Sequence, residues 1–310
     1  MNKRVLITGG AGFIGSNLAK LLIEDFESKV TVIDDLFTGT LENLKGLDVE
    51  FVKGSVLDRE LLSKHVRNKD IILHLAARNI IVSNSNPRED LEVNIIGTFN
   101  VLETALKNSI EKVVYTSTSS IYGNPRYLPI NEDEPPKFLN FYSVSKSSGE
   151  SYSKTFFEVH DLPVSIVRYS NVYGYNQSPS NPYCGVIGKF INNALKDEPI
   201  KIHGDGEQTR DFTFVIDACN ATIKAALNPK AVGEVYNIGT GIEVSVNILA
   251  EQIIKITNSK STIEHIDKRD IDNIRRRVLN IEKIRHDLKF FPLFTLKDGL
   301  KRTIDWFNNI

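Results

Sequence analysis

Tyr142 and Lys146 stand one helical turn apart in Tyr142-Ser-Val-Ser-Lys146, so on a helix their side chains share a face. That pairing suits removal of a proton from an alcohol. A free phenol, with a pKa of about 10, is a poor base at neutral pH, and an ammonium beside it favours the phenolate. Alone, Tyr-x-x-x-Lys also occurs by chance on surface helices. It gains weight from Ser117-Thr-Ser-Ser-Ile-Tyr-Gly123, a hydroxyl cluster at the end of an apolar run, where a substrate hydroxyl can be hydrogen-bonded. The purely structural reading of that cluster is a strand-terminating Ser/Thr turn. His74, inside the apolar Leu73-His-Leu-Ala-Ala77, reads as a packed core residue rather than a catalyst.

A second constellation opens the chain. In Thr8-Gly-Gly-Ala-Gly-Phe-Ile-Gly-Ser16, Gly10, Gly12 and Gly15 fit G-x-G-x-x-G, and from Gly9 the same residues read G-x-x-G-x-x-G. The apolar Val5-Leu6-Ile7 precedes the glycines, and apolar residues at helical spacing follow them over 17–23, which predicts strand, tight turn and helix. Such a turn lets backbone approach a pyrophosphate. The helix's first N–H groups and its dipole then stabilise the anion without a basic side chain. A second strand, Lys29-Val-Thr-Val-Ile33, ends in Asp34, whose carboxylate can accept the adenosine ribose hydroxyls and repels a 2′-phosphate. Asp35 adds charge, and no Lys or Arg occurs between Lys29 and Lys45, so the pattern predicts NAD rather than NADP. An oxidised nicotinamide would join Lys146 in favouring the Tyr142 phenolate. Ala76 and Ala77 are small where a cofactor must pass close to a strand end.

The elements that must position these residues alternate along the chain. Strands are predicted over 49–53, 70–77, 112–117 and 162–168, helices over 58–66, 90–107 and from Tyr142 to Phe157. Repeated βα units imply an α/β fold with a doubly wound parallel sheet, helices on both faces and ligands at the strand C-terminal ends. Beyond Tyr169, loops rich in Pro, Asn and Gly alternate with short helices. This predicts a cofactor-binding domain over 1–168 and a smaller, mainly substrate-binding C-terminal domain over 169–310, with some segments returning to the first.

Length and composition bound the possibilities. With 310 residues, 41% hydrophobic and 25% charged, the chain has ample core for one large domain or two moderate ones. A net charge of −1 gives no hint of a nucleic-acid partner. Cys184 and Cys219 fit a reducing cytosol and lack the spacing of a zinc site, so no metal is expected. The first strand follows Met-Asn-Lys-Arg directly, leaving no room for a signal peptide, and no run of 18 apolar residues exists. The expectation is a cytoplasmic protein with no membrane partner.

Taken together, the glycine turn, Leu73-His-Leu-Ala-Ala77, Ser117 to Gly123, Tyr142 to Lys146, Arg168-Tyr-Ser-Asn-Val-Tyr-Gly174 and Gly204-Asp-Gly-Glu-Gln-Thr-Arg-Asp-Phe212 give the whole chain a likeness. It resembles the extended short-chain dehydrogenase/reductase family acting on nucleotide sugars, and more narrowly the UDP-glucose (UDP-galactose) 4-epimerases. The resemblance implies a Rossmann-like fold, NAD as cofactor, a UDP-sugar substrate and a homodimer built on helices 90–107 and 142–157. It puts Thr118 on the catalytic Ser/Thr, Tyr142 on the base and Lys146 on the residue that binds nicotinamide ribose and tunes the tyrosine. Cofactor contacts fall on Gly9, Gly12, Phe13, Ile14, Gly15, Asp34, Ser55, Val56, Leu75, Ala76 and Ala77, besides Tyr142 and Lys146. Asn171 falls on the sugar-diphosphate contact, and Arg210 and Arg269 on the arginines that clamp the pyrophosphate.

Two departures stand out. Where the family usually has Gly-Asp, this chain has Gly54-Ser55, so adenine recognition leans on Ser55 and the Val56 backbone. Around Ile274-Arg-Arg-Arg277 it is one residue longer than familiar epimerases, so the residue gating the sugar's 2-substituent has no assigned position. Related 4,6-dehydratases carry an Asp-Glu pair after the threonine, and UDP-glucuronate decarboxylases a carboxylate at the second of those positions. Here they are Ser119 and Ser120, which implies chemistry confined to reversible oxidation of C4. The alternatives are a UDP-glucuronate or UDP-N-acetylglucosamine 4-epimerase, and a non-catalytic dinucleotide-binding scaffold. The lack of Lys or Arg in 169–188 weighs against a C6 carboxylate, and the intact Thr118, Tyr142 and Lys146 weigh against a scaffold.

Overall fold

The computed structural model describes residues 2–177, 185–268 and 274–309. Along the chain the strands are β1 (Arg4–Thr8), β2 (Lys29–Asp34), β3 (Val49–Lys53), β4 (Ile71–His74), β5 (Lys112–Thr118), β6 (Val164–Tyr169), β7 (Asn171–Tyr173), β8 (Ile200–His203), β9 (Thr209–Phe214), β10 (Val235–Ile238), β11 (Glu243–Ser245), β12 (Ile263–Ile266) and β13 (Arg276–Arg277). Seven form one sheet in the order β10-β6-β5-β4-β1-β2-β3, and every pairing in it is parallel. This is the doubly wound sheet expected. β10 is a segment of the second half that returns to its edge.

The helices on this sheet are α1 (Phe13–Glu24), α2 (Arg59–Val66), α3 (Ile80–Ser85), α4 (Pro87–Asp90), α5 (Gly97–Lys107) and α6 (Phe141–His160), with α7 (Val186–Leu195) and α8 (Val215–Leu227) later in the chain. A parallel sheet covered on both faces needs strands that are apolar throughout. In β1, Val5, Leu6 and Ile7 are all fully buried. Val5 and Ile7 pack into a core shared with Leu18 of α1 and Ala218 of α8, while Leu6 packs into the opposite core with Leu62 of α2 and Leu102 of α5.

Strand order reverses at β1, whose neighbours are β2 and β4. Loops from the two neighbours leave in opposite directions there, so a crevice opens outside the strand C-terminal ends. The second half adds β11-β9-β13 with β7 paired to β9, and a β12–β8 ladder. Among the described residues no helix is long and apolar enough to cross a membrane.

Two elements differ from expectation. The strand expected over 70–77 stops at His74, and Leu75, Ala76 and Ala77 line the crevice instead. The helix expected over 90–107 begins earlier, at Pro87, capped by the Asn86 side chain, and residues Leu91–Ile96 wind as a π-helix before α5 resumes. The wider turn coincides with a buried polar residue: Asn94 donates to the Arg78 carbonyl (3.0 Å) and accepts from its N–H (2.7 Å). A π-turn inside an α-helix often marks a functional site.

Candidate active site

One cavity of about 240 Å³ runs along the C-terminal edge of the sheet, and all thirteen residues expected to contact the cofactor line it. At one end lies the glycine turn. Gly9 sits at φ +72°, and a Cβ there would come 2.7 Å from the Ala76 nitrogen, while one on Gly15 would lie 2.3 Å from the Gly9 carbonyl oxygen. Only glycine permits this close approach of β1, α1 and the β4 loop. Gly12 caps α1 without a side-chain hydrogen bond, and the first helical turn carries no acidic residue, so its N–H groups face the cavity as an anion site.

Asp34 ends β2, 7% exposed, and its two oxygens accept from the N–H of Ala11 (2.9 Å) and of Leu36 (2.8 Å). Burial raises its pKa, against those two hydrogen bonds. The carboxylate therefore braces the glycine turn as well as facing the cavity, a role its position at a strand end did not announce. No Lys or Arg occurs between Lys29 and Lys45, and the cation beside it comes from elsewhere in the chain. Arg78, brought in from beyond β4, donates to Asp35 (2.8 Å) and Glu89 (2.6 Å), and its guanidinium lies 4.0 Å from the Phe37 ring centre. Arg78 and Phe37 line the cavity and were absent from the sequence candidates. A charged residue directly after Ala76-Ala77 at a strand end was the available signal. Ser55 also lines the cavity, its hydroxyl accepting from the Leu57 N–H (3.2 Å).

The other end holds the hydroxyl chemistry. Asn140 caps α6, its Oδ1 accepting from the Ser143 N–H (2.8 Å), and so sets Tyr142 in the first turn. Thr118 ends β5, and its hydroxyl accepts from the Ser120 N–H (3.1 Å) and acts on the Tyr142 phenol. Burial pushes the phenol up to about 12, the Thr118 hydroxyl opposes this, and the Asp90 charge adds to the rise. Lys146 is 3% exposed, and burial pulls its pKa down to about 7 against the charges of Glu150 and Asp90. Its Nζ stands 4.3 Å from the Tyr115 ring centre, and the Tyr115 hydroxyl donates to the Lys146 carbonyl (3.1 Å). Glu150 is engaged by Arg168 at 2.9 and 2.6 Å.

Ser117 lines the cavity with a buried hydroxyl that has no hydrogen-bond partner. Ser119 is buried and Ser120 partly so, and no carboxylate follows Thr118. His74 is a core residue as expected, bridging Thr8 (2.7 Å) and Thr98 (2.9 Å), and burial drives its pKa down to about 3. Asn171 starts β7, which pairs with β9 so that Asn171 is opposite Phe212, two residues from Arg210. Arg210 is 8% exposed and donates to the carbonyls of Thr209 and Ile274, both at 2.8 Å. Arg269, like Cys184, lies outside the described residues. No cluster of three or more metal-ligating side chains occurs among the described residues.

A glycine turn at the switch point of a parallel sheet, sharing one cavity with Ser117, Tyr142 and Lys146, has the make-up of a dinucleotide-dependent site for oxidising and reducing alcohols. Residues 5–239 match the model of the NAD dependent epimerase/dehydratase family, and the chain belongs to that family, an enzyme that uses NAD. It is 40% identical over 308 residues to a putative UDP-glucose 4-epimerase of Methanocaldococcus jannaschii, covering 98% of each chain. It is 37% identical over 325 residues to a UDP-N-acetyl-alpha-D-glucosaminuronate decarboxylase of Bacillus cytotoxicus, covering 100% of this chain and 99% of the other. A UDP-glucose 4-epimerase of Thermotoga maritima, solved with UDP-glucose, superposes with a TM-score of 0.94 at 34% identity, covering 100% and 99%. The relatives thus agree on nucleotide sugars and on the fold while differing in reaction.

Proposed function

We propose that the protein interconverts UDP-galactose and UDP-glucose by reversible oxidation at C4, acting as a homodimer in the cytoplasm. The observation that carries the reading is the buried Tyr142–Lys146 pair with the Thr118 hydroxyl acting on the phenol, Thr118 being followed by Ser119 and Ser120 rather than carboxylates. Bound NAD supplies the acceptor for the C4 hydride and returns it. The chain's residues do the rest. Tyr142 takes the 4-hydroxyl proton, Thr118 holds that hydroxyl, and Lys146 stabilises the phenolate and binds the nicotinamide ribose. The N–H groups at Phe13, Ile14 and Gly15 hold the pyrophosphate, Gly9 and Gly12 giving them room; Asp34 takes the adenosine ribose, Ser55 and Val56 the adenine. Leu75, Ala76 and Ala77 form the wall along which the cofactor lies.

Asn171, Arg210 and Arg269 anchor the sugar diphosphate, so that residues 1–168 chiefly serve the cofactor and 169–310 the substrate. With binding energy placed on the nucleotide, remote from C4, the keto sugar can turn about its phosphate bond and accept hydride on its other face. Elimination of water or loss of carbon dioxide would need a carboxylate that these serine positions do not provide. Incubating the protein with UDP-galactose, UDP-N-acetylgalactosamine and UDP-galacturonate side by side tests the reading. UDP-galactose is expected to turn over fastest, without net NADH, and a preference for either of the others would displace it.

A further inference from the structure

Asp90 ends α4 with 3% of its surface exposed. Its Oδ1 accepts from Ser83 Oγ (2.5 Å) on α3, Asn94 Nδ2 (2.7 Å) in the π-helical segment, and Ser145 Oγ (2.9 Å) on α6. Ser145 lies between Tyr142 and Lys146, and its hydroxyl also reaches the Tyr142 carbonyl (3.1 Å). Ser83 Oγ also reaches the Asn79 carbonyl (2.9 Å), so polar side chains from three segments converge on one carboxylate oxygen.

The other carboxylates around it each sit in an ion pair, Arg78 serving both Asp35 and Glu89. Glu150 on α6 is held by Arg168, Glu89 on α4 by Arg78, and Glu92 by Arg88 at 2.8 Å. α3 carries no titratable side chain. His74 on β4 is kept neutral by burial, and Tyr115 on β5 is a fully buried phenol whose pKa burial raises. Among the described residues Asp90 is in no ion pair. It is the buried carboxylate beside this pair that no arginine neutralises, and its charge acts on both Tyr142 and Lys146.

We propose that Asp90 is a positioning residue, the fixed counter-charge of the Tyr142–Lys146 pair, which keeps Lys146 an ammonium and sets the pH at which the Tyr142 phenolate forms. This rests on the reading of Tyr142 as proton acceptor. With Asp90 ionised and Lys146 charged, the pocket is neutral before the phenol ionises, and the phenolate then balances the positive charge of oxidised NAD. An uncompensated ammonium beside that charge would repel the cofactor, whereas a carboxylate touching Tyr142 would oppose its ionisation. Acting through Ser145 and Asn94, Asp90 supplies its charge without touching the reacting atoms.

The test is Asp90→Asn in the NAD-bound protein, read by two measurements. One is the pH titration of tyrosinate ultraviolet absorbance, with Tyr142→Phe subtracted; the other is the pH profile of kcat/KM for UDP-galactose. Removing the negative charge eases ionisation of the phenol and loss of the Lys146 proton alike. The tyrosinate titration and both limbs of the profile should therefore move to lower pH by about half a unit to one unit. Ser145→Ala, which removes a hydrogen bond and keeps the charge, should leave them in place. Limbs that stay put in Asp90→Asn while only the amplitude falls, or that move equally in Ser145→Ala, would overturn the assignment. Asp90→Ser offers the same test should the asparagine variant not fold. If the wild type turns over no nucleotide sugar, the proposed reaction fails, and the tyrosinate titration still decides the role of Asp90.

Discussion

Lys146 is the costliest group in the site, and its cost can be measured. Its pKa falls from an ordinary 10.5 to about 7 on burial, a drop of about 3.5. At about 1.4 kcal/mol for each, this sets a ceiling near 5 kcal/mol on the destabilisation of the NAD-free protein. Effective dielectrics inside proteins are higher than such burial implies, and removing the ammonium strips Asp90 of its counter-charge, so about 2 kcal/mol is the expected net. The unfolded chain holds this proton below about 10.5 and the folded chain only below about 7. The penalty is therefore complete below pH 7 and fades as pH rises toward 10.5. Lys146→Met, close in volume and uncharged, should be about 2 kcal/mol more stable than wild type to urea unfolding at pH 6, with a higher midpoint. That advantage should shrink steadily to nothing near pH 10, while turnover is lost at every pH. A variant no more stable than wild type at pH 6, or an advantage independent of pH, would refute the reasoning.

Tyr142→Phe should abolish epimerisation while changing NAD and UDP-sugar affinity less than about threefold, since only the transition state needs the proton acceptor; calorimetric titration checks the affinities. Asp34 should make NAD bind at least about a hundredfold better than NADP, the scale of one buried charge meeting a phosphate, and equal affinities would remove its assignment. Phe99, Val144, Tyr152 and Val159 leave an apolar surface on α5 and α6, which the homodimer is expected to cover. Sedimentation should find a dimer at micromolar concentration and a monomer for Phe99→Asp. Gly15→Ala, which would drive a Cβ against the Gly9 carbonyl, should cost the NAD site at least about tenfold in affinity or prevent folding.

The fold was legible because its signals are local. Val5-Leu6-Ile7 running into glycines, and Asp34 closing the next strand, identify the first βα unit, and the repetition of apolar runs leaves few topologies besides a parallel sheet. Tyr142 and Lys146 were legible because helical spacing is one-dimensional. What stayed hidden depends on contacts distant in sequence. Nothing near Arg78 says that Asp35, 43 positions earlier, will pair with it. Asp90 resembles any acidic residue at a helix start; only the packing of α3 and α6 over it makes it a buried charge. The π-turn at Leu91–Ile96 breaks no apolar pattern, because Val93 remains buried within it.

In the proposed reaction hydride leaves C4 of the sugar and returns to the same carbon. Incubating the NAD-bound protein with UDP-galactose deuterated at C4, and following the product by proton and deuterium magnetic resonance, tests this most directly. UDP-glucose should form with the deuterium still on C4 and without net NADH, and Tyr142→Phe should give no conversion. Loss of the label to water, its appearance at C6 in a 4-keto-6-deoxy sugar, or an unchanged substrate would contradict the proposed reaction.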